Sequence, residues 1–498
     1  MKRQALAGLA WTYLGNLIRV GSGLVFGIML ARILGPGPFG QIAVCMVIIS
    51  IGSIICDMGL GPAIVQQREI RDHDIRFVFT IQCLLGVILT LAVMIAAPLI
   101  AMLFSQPETV PVLRLLSLMF VLNCAGQTAT QLLQRHMRFK AMQVTQTAAT
   151  LVGTAAVGLP MALHEWGVWS LVAAQLVSSL LQSVLAYLVV RHEVRPMFRP
   201  ASAGMLRFST TVLFTNVVNS IVTNMDAAVV SHYFGEVGTG LYRRMQTLFG
   251  QPRDMIVQTL QRVLFAAGSR LQDDPEAIRR SLLMATSAVA MVLFPVFLTI
   301  AVTPGCFVGA ILGPKWMGAV PLVLPLVLAV LVHALLAVIG PLLWATNRVA
   351  VELRLQIFVA ITYLVVAPLT ARYSLQAFAW GILAVYVLRW SWLLIVVIRL
   401  KWVTPAQYGR AMAKPLAVAA VTAAMVFFAI RQMQIMRPGT PAIYLLGISL
   451  SLSTLAYFLM AVFHQSLVPA SLHGTVASIK SVALSATRAW LSKPAVAE

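Results

Sequence analysis

Apolar runs of about 20 residues or more alternate with short polar or basic connections along almost the whole chain. A helix needs about 20 such residues to cross the roughly 30 Å hydrocarbon core of a bilayer. The pattern therefore predicts fourteen transmembrane helices. The predicted spans are 9–34, 39–63, 77–104, 110–133, 142–163, 167–190, 206–234, 238–265, 281–311, 320–345, 352–371, 376–398, 413–430 and 441–463.

Sequence echoes indicate that the first twelve spans are two copies of one unit. At a shift of 200 residues, Gly35 falls on Gly235 and Gly40 falls on Gly240, and a second set of matches recurs at a shift of 210. Self-similarity at a fixed offset is the signature of a repeated architecture. Two copies of six spans keep the same orientation in the membrane, so an axis along the membrane normal should relate them.

This repeat predicts the domain organisation. We expect residues 1–200 to form an N-terminal six-helix bundle and residues 201–400 a second one, arranged in parallel around a central cavity. Residues 401–498 should add two transmembrane helices and a cytoplasmic tail. The predicted fold class is an all-α polytopic membrane protein.

Composition agrees with a membrane protein. With 60% hydrophobic and 10% charged residues, a soluble globule would lack the polar residues to cover its surface. The net charge of +21 comes mostly from basic connections on the side of Met1, which predicts that both termini are cytoplasmic and gives no reason to expect nucleic acid as a partner. The chain shows no ATP-binding, metal-ligating or acid–base motif, so we expect no enzyme activity, metal or cofactor.

Small residues and one cation share a face of the first span, where Gly15, Arg19, Gly23 and Gly27 recur at steps of four. A buried cation costs about 2.5–3.5 kcal/mol on insertion scales, so several of them suggest an anionic ligand, and guanidinium groups match phosphate oxygens. The cations that we assign to substrate binding are Arg19, Arg243, Arg244 and Arg389. Two alternatives stay open: Arg19 pairs with a carboxylate such as Asp226, or Arg243 and Arg244 reach the membrane surface.

The seventh span carries a polar stripe. Asn216, Asn219, Thr223 and Asp226 recur at steps of three and four, and lipid cannot satisfy such a face. We assign the first three to substrate binding, with interhelical hydrogen bonding as the alternative. We assign Asp226 and Asp57 to coupling or gating, although Asp57 also precedes a glycine-rich stretch that would simply end its helix.

Polar residues in two further spans predict a polar lumen that is lined by several helices. The fourth span carries Asn123, Gln127, Thr130 and Gln134, and the sixth carries Gln175, Ser178 and Gln182.

Three passages resemble a known family. They are LARILGPGPFGQIAVCMVIISIGSIICDMGLGPAIVQQ, GLYRRMQTLFGQPRDMIVQTLQRVLFAAGSRLQDDPEAIRR and ILGPKWMGAVPLVLPL. They are similar to the polysaccharide transporter family, the oligosaccharide-lipid flippases of the multidrug/oligosaccharidyl-lipid/polysaccharide exporter superfamily. The resemblance covers roughly residues 5–400. It carries no invariant substrate-binding signature, so the site residues above depend on the buried-charge argument.

The resemblance implies a flippase of the bacterial inner membrane that works by alternating access. Its substrate would be a polyprenyl-diphosphate-linked oligosaccharide, moved from the cytoplasmic to the outer leaflet for exopolysaccharide, capsule or O-antigen synthesis. Implied partners are the lipid bilayer and a polymerase and chain-length regulator of the same pathway. Alternatives are a cation-coupled exporter of drugs or other small solutes in the same superfamily, and a membrane glycosyltransferase or polymerase.

Overall fold

The structure is a computed structural model. It describes residues 2–57, 70–198, 203–271 and 274–436, together with a few isolated positions up to residue 451. Every regular element within these ranges is a helix. This agrees with the predicted all-α class.

Within the described ranges, seven helices precede residue 271. Most are long because they consist of apolar residues that are interrupted by neither a charge cluster nor a Gly/Pro turn. They are α1 (Lys2–Leu34), α2 (Pro36–Asp57), α3 (Asp72–Leu103), α4 (Thr109–Arg135), α5 (Phe139–Leu163), α6 (Val168–Val190) and α7 (Ala203–Arg270).

Between residues 274 and 436, six helices follow, along with a 3-10 turn at Pro314–Ala319. They are α8 (Pro275–Val302), α9 (Pro304–Ile311), α10 (Val320–Ala345), α11 (Val349–Ala371), α12 (Leu375–Arg399) and α13 (Pro405–Met436).

Eleven helical stretches within the described residues are long and apolar enough to cross a membrane. In addition, α7 covers the seventh and eighth predicted spans and changes direction at Gly235, where the sequence predicts the connection. The fourteenth predicted span lies almost entirely outside the described residues. The ninth predicted span is divided in the structure, because α8 ends at Val302 and a short helix restarts at Pro304.

The chain forms two compact units, Met1–Arg244 and Met245–Glu498. The boundary falls inside α7, so the helix before Gly235 belongs to the N-terminal unit. The predicted bundles with boundaries at residues 200 and 400 stay a prediction.

Two glycines with a left-handed backbone end the first helix and break the seventh. Gly35 has φ 80° and Gly235 has φ 63°, a region in which a side chain would be strained. Gly35 N donates to Ala31 O at 3.0 Å, which completes the end of α1. The two glycines that the 200-residue echo relates therefore have the same conformational role.

The turns that contain these glycines pack directly on each other. A Cβ on Gly40 would lie 1.8 Å from the carbonyl oxygen of Glu236, and a Cβ on Gly240 would lie 1.9 Å from that of Pro36. Both positions thus accept only glycine in this packing, because real Cβ atoms do not approach so closely. Gln41 Nε2 also donates to Glu236 Oε2 at 2.8 Å.

Connections that the sequence predicts on the opposite side of the membrane also lie together in the N-terminal unit. Arg76 Nη1 lies 3.4 Å from Glu193 Oε2, which joins the start of α3 to the connection after α6. Arg135, at the end of α4, donates to Ile64 O at 2.6 Å. Each face of this unit is therefore formed by alternate connections, as a chain that crosses the membrane repeatedly requires.

A core in the N-terminal unit is formed by α2, α3, α4 and α6. Phe120 and Leu116 are fully buried at its centre, and Cys45, Cys56 and Cys124 are buried free thiols within it. These three cysteines are therefore packing residues of this core.

Candidate functional site

The glycine-rich face of α1 carries the first predicted substrate contact. Arg19 is part-buried, and its Nη2 donates to Asn16 Oδ1 at 2.9 Å, one turn earlier on the same helix. Its Nε is buried without a hydrogen-bond partner among the described residues. Arg19 therefore has an N–H donor, at Nε, that its hydrogen bond to Asn16 does not use.

Arg244 reaches the same face from α7. A Cβ on Gly27 would lie 3.1 Å from both Nη1 and Nη2 of Arg244, so a larger residue here would push the guanidinium group aside by a few tenths of an ångström. The guanidinium carbon also lies 5.2 Å from the ring centre of Phe39, a distance typical of a cation–π contact. The Arg244 side chain does not extend out of the protein, because the residue is only 8% exposed.

Arg244 has unsatisfied donors. Within the described residues, neither Nε nor Nη2 has a hydrogen-bond partner, and both atoms are buried. A buried guanidinium group without an anionic partner is costly, by several kcal/mol at least. An anion at this position would remove that cost.

Open space separates the two arginines along α1. Gly23 lies between Arg19 and Gly27, and no atom of the described residues would fall within 4 Å of a Cβ on it. Eight residues separate Arg19 from Gly27, which corresponds to about 12 Å along the helix axis. The face thus has a cation at each end and a smooth open surface between them.

Arg243 differs from its neighbour because it has an acidic partner. Its Nη1 lies 3.9 Å from Asp226 Oδ1, and its Nη2 donates to Asn224 Oδ1 at 3.0 Å. Asp226 also accepts from the backbone of Ala227 at 2.8 Å and from the Tyr242 hydroxyl at 3.3 Å. Asp226 is thus held by at least three donors, and its ion pair among the described residues is with Arg243 rather than Arg19.

The predicted contact in the C-terminal unit also has an acidic partner. Arg389 Nη2 donates to Glu352 Oε1 at 2.7 Å, and Glu352 is buried in the first turn of α11. The sequence interpretation missed Glu352 because it stands at the very start of a predicted span, where it looks like part of the preceding connection. A signal was present, since charged residues within membrane spans usually pair with one another, and Glu352 is the first residue of a predicted span.

The polar residues of several spans surround one cavity of about 510 Å³ in the N-terminal unit. Asp57, at the end of α2, accepts from Gln82 Nε2 at 3.3 Å and from Gln127 Nε2 at 3.4 Å. The Thr128 hydroxyl donates to Gln82 Oε1 at 2.9 Å and so fixes that amide. Other polar residues that line the cavity are Asn123, Thr130, Gln175, Ser178, Gln182 and Asn216.

The cavity brings together most of the polar stripes that the sequence predicts. Asn216 contributes to it from α7, whereas Gln134 is exposed on α4 and does not line it. The side chains of Asn219 and Thr223 lie outside the described residues. Within the described part of the chain, no group of three or more His, Cys, Asp or Glu residues could hold a metal ion.

A helix in the wall of this cavity departs from α geometry. Within α5, Val152–Gly158 forms a π-helical turn, and Thr150 lines the cavity immediately before it. Gly153 allows close packing there, because a Cβ on it would lie 2.0 Å from Ser178 Oγ. Such turns are frequent at functional sites.

One carboxyl group outside the spans has a shifted pKa. Burial raises the pKa of Glu236 at the turn in α7, the hydrogen bond from Gln41 opposes this, and the charge of Glu108 raises the pKa further. This turn thus contains a carboxyl group that accepts a proton more readily than an exposed glutamate.

Long apolar helices, buried cations and a polar cavity define a membrane transporter. A family model described as "polysaccharide biosynthesis protein" matches residues 29–321, and the chain belongs to this family. This confirms the resemblance to the oligosaccharide-lipid flippases of the multidrug/oligosaccharidyl-lipid/polysaccharide exporter superfamily.

Relatives have names that refer to cell-surface polysaccharides. The chain is 27% identical over 365 residues to the lipopolysaccharide biosynthesis protein WzxC of Escherichia coli (strain K12). The matched region covers 72% of this chain and 73% of WzxC. It is 23% identical over 381 residues to the teichuronic acid biosynthesis protein TuaB of Bacillus subtilis (strain 168), covering 75% of this chain and 78% of that protein.

Solved structures share the fold. The lipid II flippase MurJ in an inward closed conformation matches with a TM-score of 0.71 at 13% identity, covering 93% of this chain and all of that one. An inward-facing multidrug resistance transporter of the MATE family matches with a TM-score of 0.59 at 17% identity. This match covers 78% of this chain and 95% of that one. The chain therefore has the fold of these transporters.

Proposed function

We propose that the protein moves a polyprenyl-diphosphate-linked oligosaccharide from the cytoplasmic to the outer leaflet of the bacterial inner membrane. The observation that carries this proposal is the buried Arg244, whose Nε and Nη2 have no hydrogen-bond partner among the described residues. Phosphate oxygens are the acceptors that a guanidinium fork fits best. The names of the relatives, which refer to lipopolysaccharide and teichuronic acid, support a carrier for polysaccharide precursors.

The α1 face would hold the diphosphate. Arg19 and Arg244 lie at the two ends of the open surface around Gly23, so that the phosphates would occupy this surface and the polyprenyl chain would stay in lipid. Arg243 would join them by exchanging Asp226 for a phosphate oxygen, because the 3.9 Å ion pair is long. Arg389 stays a predicted contact from the C-terminal unit, and Asn219 and Thr223 stay predicted contacts on α7.

The transport cycle would be alternating access. Residues 1–200 and 201–400 would rock against each other around a central cavity, with fourteen spans and both termini in the cytoplasm. Asp57 and Asp226 are the coupling or gating residues of this proposal. The polymerase and chain-length regulator of the same pathway would receive the product on the outer side.

The membrane potential is sufficient to bias this transport. Moving one negative charge outward across an inside-negative membrane gains about 2.3 kcal/mol per 100 mV. A diphosphate carries about two such charges, so a coupling ion is not required. A proton or sodium ion at Asp226 would add to this driving force.

Translocation in proteoliposomes tests the proposal. We would reconstitute the purified protein with lipid-linked oligosaccharide and measure how much becomes accessible to an impermeant glycosidase. Arg19→Ala and Arg244→Ala should each slow translocation at least tenfold, whereas Arg270→Ala, an exposed arginine at the end of α7, should not. Wild-type rates in both Arg19→Ala and Arg244→Ala would overturn the proposal.

A further inference from the structure

The polar cavity of the N-terminal unit has a composition that the phosphate-binding face lacks. Its lining contains amide side chains from α3, α4, α6 and α7, namely Gln82, Asn123, Gln127, Gln175, Gln182 and Asn216, together with Asp57 and several hydroxyl groups. None of the described residues that line it is Lys, Arg or His. A phosphate group would therefore find no cation here.

This set of groups fits a neutral polyhydroxyl ligand. An amide offers two donors and an acceptor, and a carboxylate offers acceptors only, so together they can satisfy hydroxyl groups, each of which both donates and accepts. The volume of about 510 Å³ lies within the range of about 300–1,000 Å³ typical of ligand pockets.

The cavity is less suited to a cation. It contains a single carboxylate, Asp57, and that carboxylate already accepts from two amide groups, those of Gln82 and Gln127. Amide nitrogens that point at a carboxylate stabilise its charge and compete with a metal ion for its oxygens. Asp57 thus acts as a hydrogen-bond acceptor for Gln82 and Gln127 rather than as a cation ligand.

The walls of the cavity are also positioned rigidly enough for recognition. Thr128 holds Gln82 by a hydrogen bond of 2.9 Å, and Ser183, at the cavity wall, donates to the backbone of Leu122. Gly126 brings α4 and α6 together at this point, since a Cβ on it would lie 2.4 Å from Ser183 Oγ. Groups held by packing and hydrogen bonds lose little freedom when a ligand binds.

We propose that this cavity binds sugar residues of the transported lipid-linked oligosaccharide through its amide groups and Asp57. The inference rests on the proposed function for the nature of the substrate, and it separates recognition of the sugar from binding of the diphosphate at Arg19 and Arg244. Selection among oligosaccharides would then depend on which hydroxyl groups meet Gln127, Gln182 and Asn216.

Binding measurements in nanodiscs test the proposal with two probes. The first probe is the free oligosaccharide released by mild acid from the lipid-linked intermediate of the source bacterium. The second is a polyprenyl diphosphate that carries no sugar. We would measure the affinity of each probe by titration calorimetry for the wild type, Gln127→Leu, Gln182→Leu and Gln134→Leu, the last being an exposed amide on α4 outside the cavity.

Gln127→Leu and Gln182→Leu should each weaken binding of the oligosaccharide about tenfold and leave binding of the polyprenyl diphosphate unchanged. Gln134→Leu should alter neither. The proposal is overturned if both cavity variants bind the oligosaccharide as the wild type does. It is also overturned if the wild type ignores the oligosaccharide but shows a sodium-dependent rise in Tm that Asp57→Asn removes.

Arg244→Ala separates this outcome from failure of the proposed function. That variant should lose affinity for the polyprenyl diphosphate but keep its affinity for the oligosaccharide. If the wild type binds the oligosaccharide through the cavity but does not bind the polyprenyl diphosphate, the flippase proposal fails and the sugar site stands.

Discussion

Gly40 and Gly240 lie so close together that a Cβ on Gly240 would stand 3.1 Å from the backbone nitrogen of Gly40. Gly40 faces Glu236 and Gly240 faces Pro36, so each contact is the other one shifted by 200 residues. Reciprocal contacts of this kind are what a two-fold axis produces. The match at a shift of 200 residues is thus present in the packing of these two turns as well as in the sequence.

Replacing Gly40 by alanine should disrupt this contact. The added Cβ would overlap the carbonyl oxygen of Glu236, and overpacking of this kind costs about 1–3 kcal/mol. We expect Tm of Gly40→Ala to fall by several degrees in detergent. Gly37→Ala is the matched control, because no atom lies within 4 Å of a Cβ there. Equal Tm values for the two variants would contradict the observed packing.

Replacing Gly27 by alanine should displace the guanidinium group of Arg244. The new Cβ would lie 3.1 Å from two of its nitrogens, so the side chain must move by a few tenths of an ångström. Losing one well-aligned hydrogen bond costs about 1 kcal/mol, which is roughly a fivefold loss of affinity for a polyprenyl diphosphate. Gly21→Ala, on an open part of α1, should bind this lipid as the wild type does. Unchanged affinity in Gly27→Ala would argue against Arg244 as a phosphate contact.

The Asp226→Asn variant separates charge pairing from ion coupling. The amide keeps one oxygen that can accept from Ala227, and its NH2 group takes the place of the oxygen that accepts from Tyr242. It no longer attracts Arg243 by charge. We expect translocation to continue, and to stop when an ionophore collapses the membrane potential. A variant that is inactive at full potential, yet folded by its Tm, would instead indicate coupling through Asp226.

The pair Arg389 and Glu352 can be tested for a structural role. Glu352→Gln leaves a buried guanidinium group without its charge partner, a change that costs about 3–5 kcal/mol. We expect a large fall in Tm, and recovery of most of it in the double variant Glu352→Gln/Arg389→Gln. Arg354→Gln, an exposed change on the same helix, should have little effect.

Translocation by the double variant then decides whether Arg389 also binds substrate. Because the double variant is neutral at both positions, it has no unpaired buried charge, so a loss of transport cannot be attributed to a destabilised fold. A stable but inactive double variant supports a substrate contact at Arg389. Wild-type translocation would assign Arg389 to the fold alone.

The raised pKa of Glu236 predicts a dependence of stability on pH. A carboxyl group whose pKa is higher in the folded state favours folding below its unfolded value of about 4.3, and this contribution is lost as the pH rises through the folded pKa. Glu236→Gln removes the buried charge and keeps an acceptor for Gln41. We therefore expect the variant to have a higher Tm than the wild type at pH 7, with a difference that shrinks toward pH 4. A difference that grows on acidification would contradict this assignment.

The positions of the spans could be predicted because hydrophobicity is a local property. The sixth predicted span, 167–190, matches Val168–Val190, and the tenth, 320–345, matches Val320–Ala345. The ninth predicted span, 281–311, runs through the break between Val302 and Pro304, although Pro304 is itself a local signal for a bend or the end of a helix.

The partners of the buried charges could not be predicted, because they are tertiary contacts. The spacing on α1 identified Arg19 and Gly27 as one face, but nothing in it indicated that Gly27 receives Arg244. Likewise, the ion pair of Arg243 with Asp226 closes across the turn at Gly235, and that of Arg389 with Glu352 joins two different helices. Periodicity shows which side chains share a face, and only the packing shows what each face meets.

The cavity lined by Gln82, Asn123, Gln127, Gln182 and Asn216 is formed by side chains rather than by backbone. A single codon change at any of these positions alters the pattern of donors and acceptors, while the helices and the arginines on α1 and α7 stay as they are. If the cavity binds the sugar and the arginines bind the diphosphate, a few substitutions in this cavity would adapt the carrier to a different oligosaccharide. A bacterium that changes its surface polysaccharide to escape a phage or an immune response would then not need to evolve a new carrier.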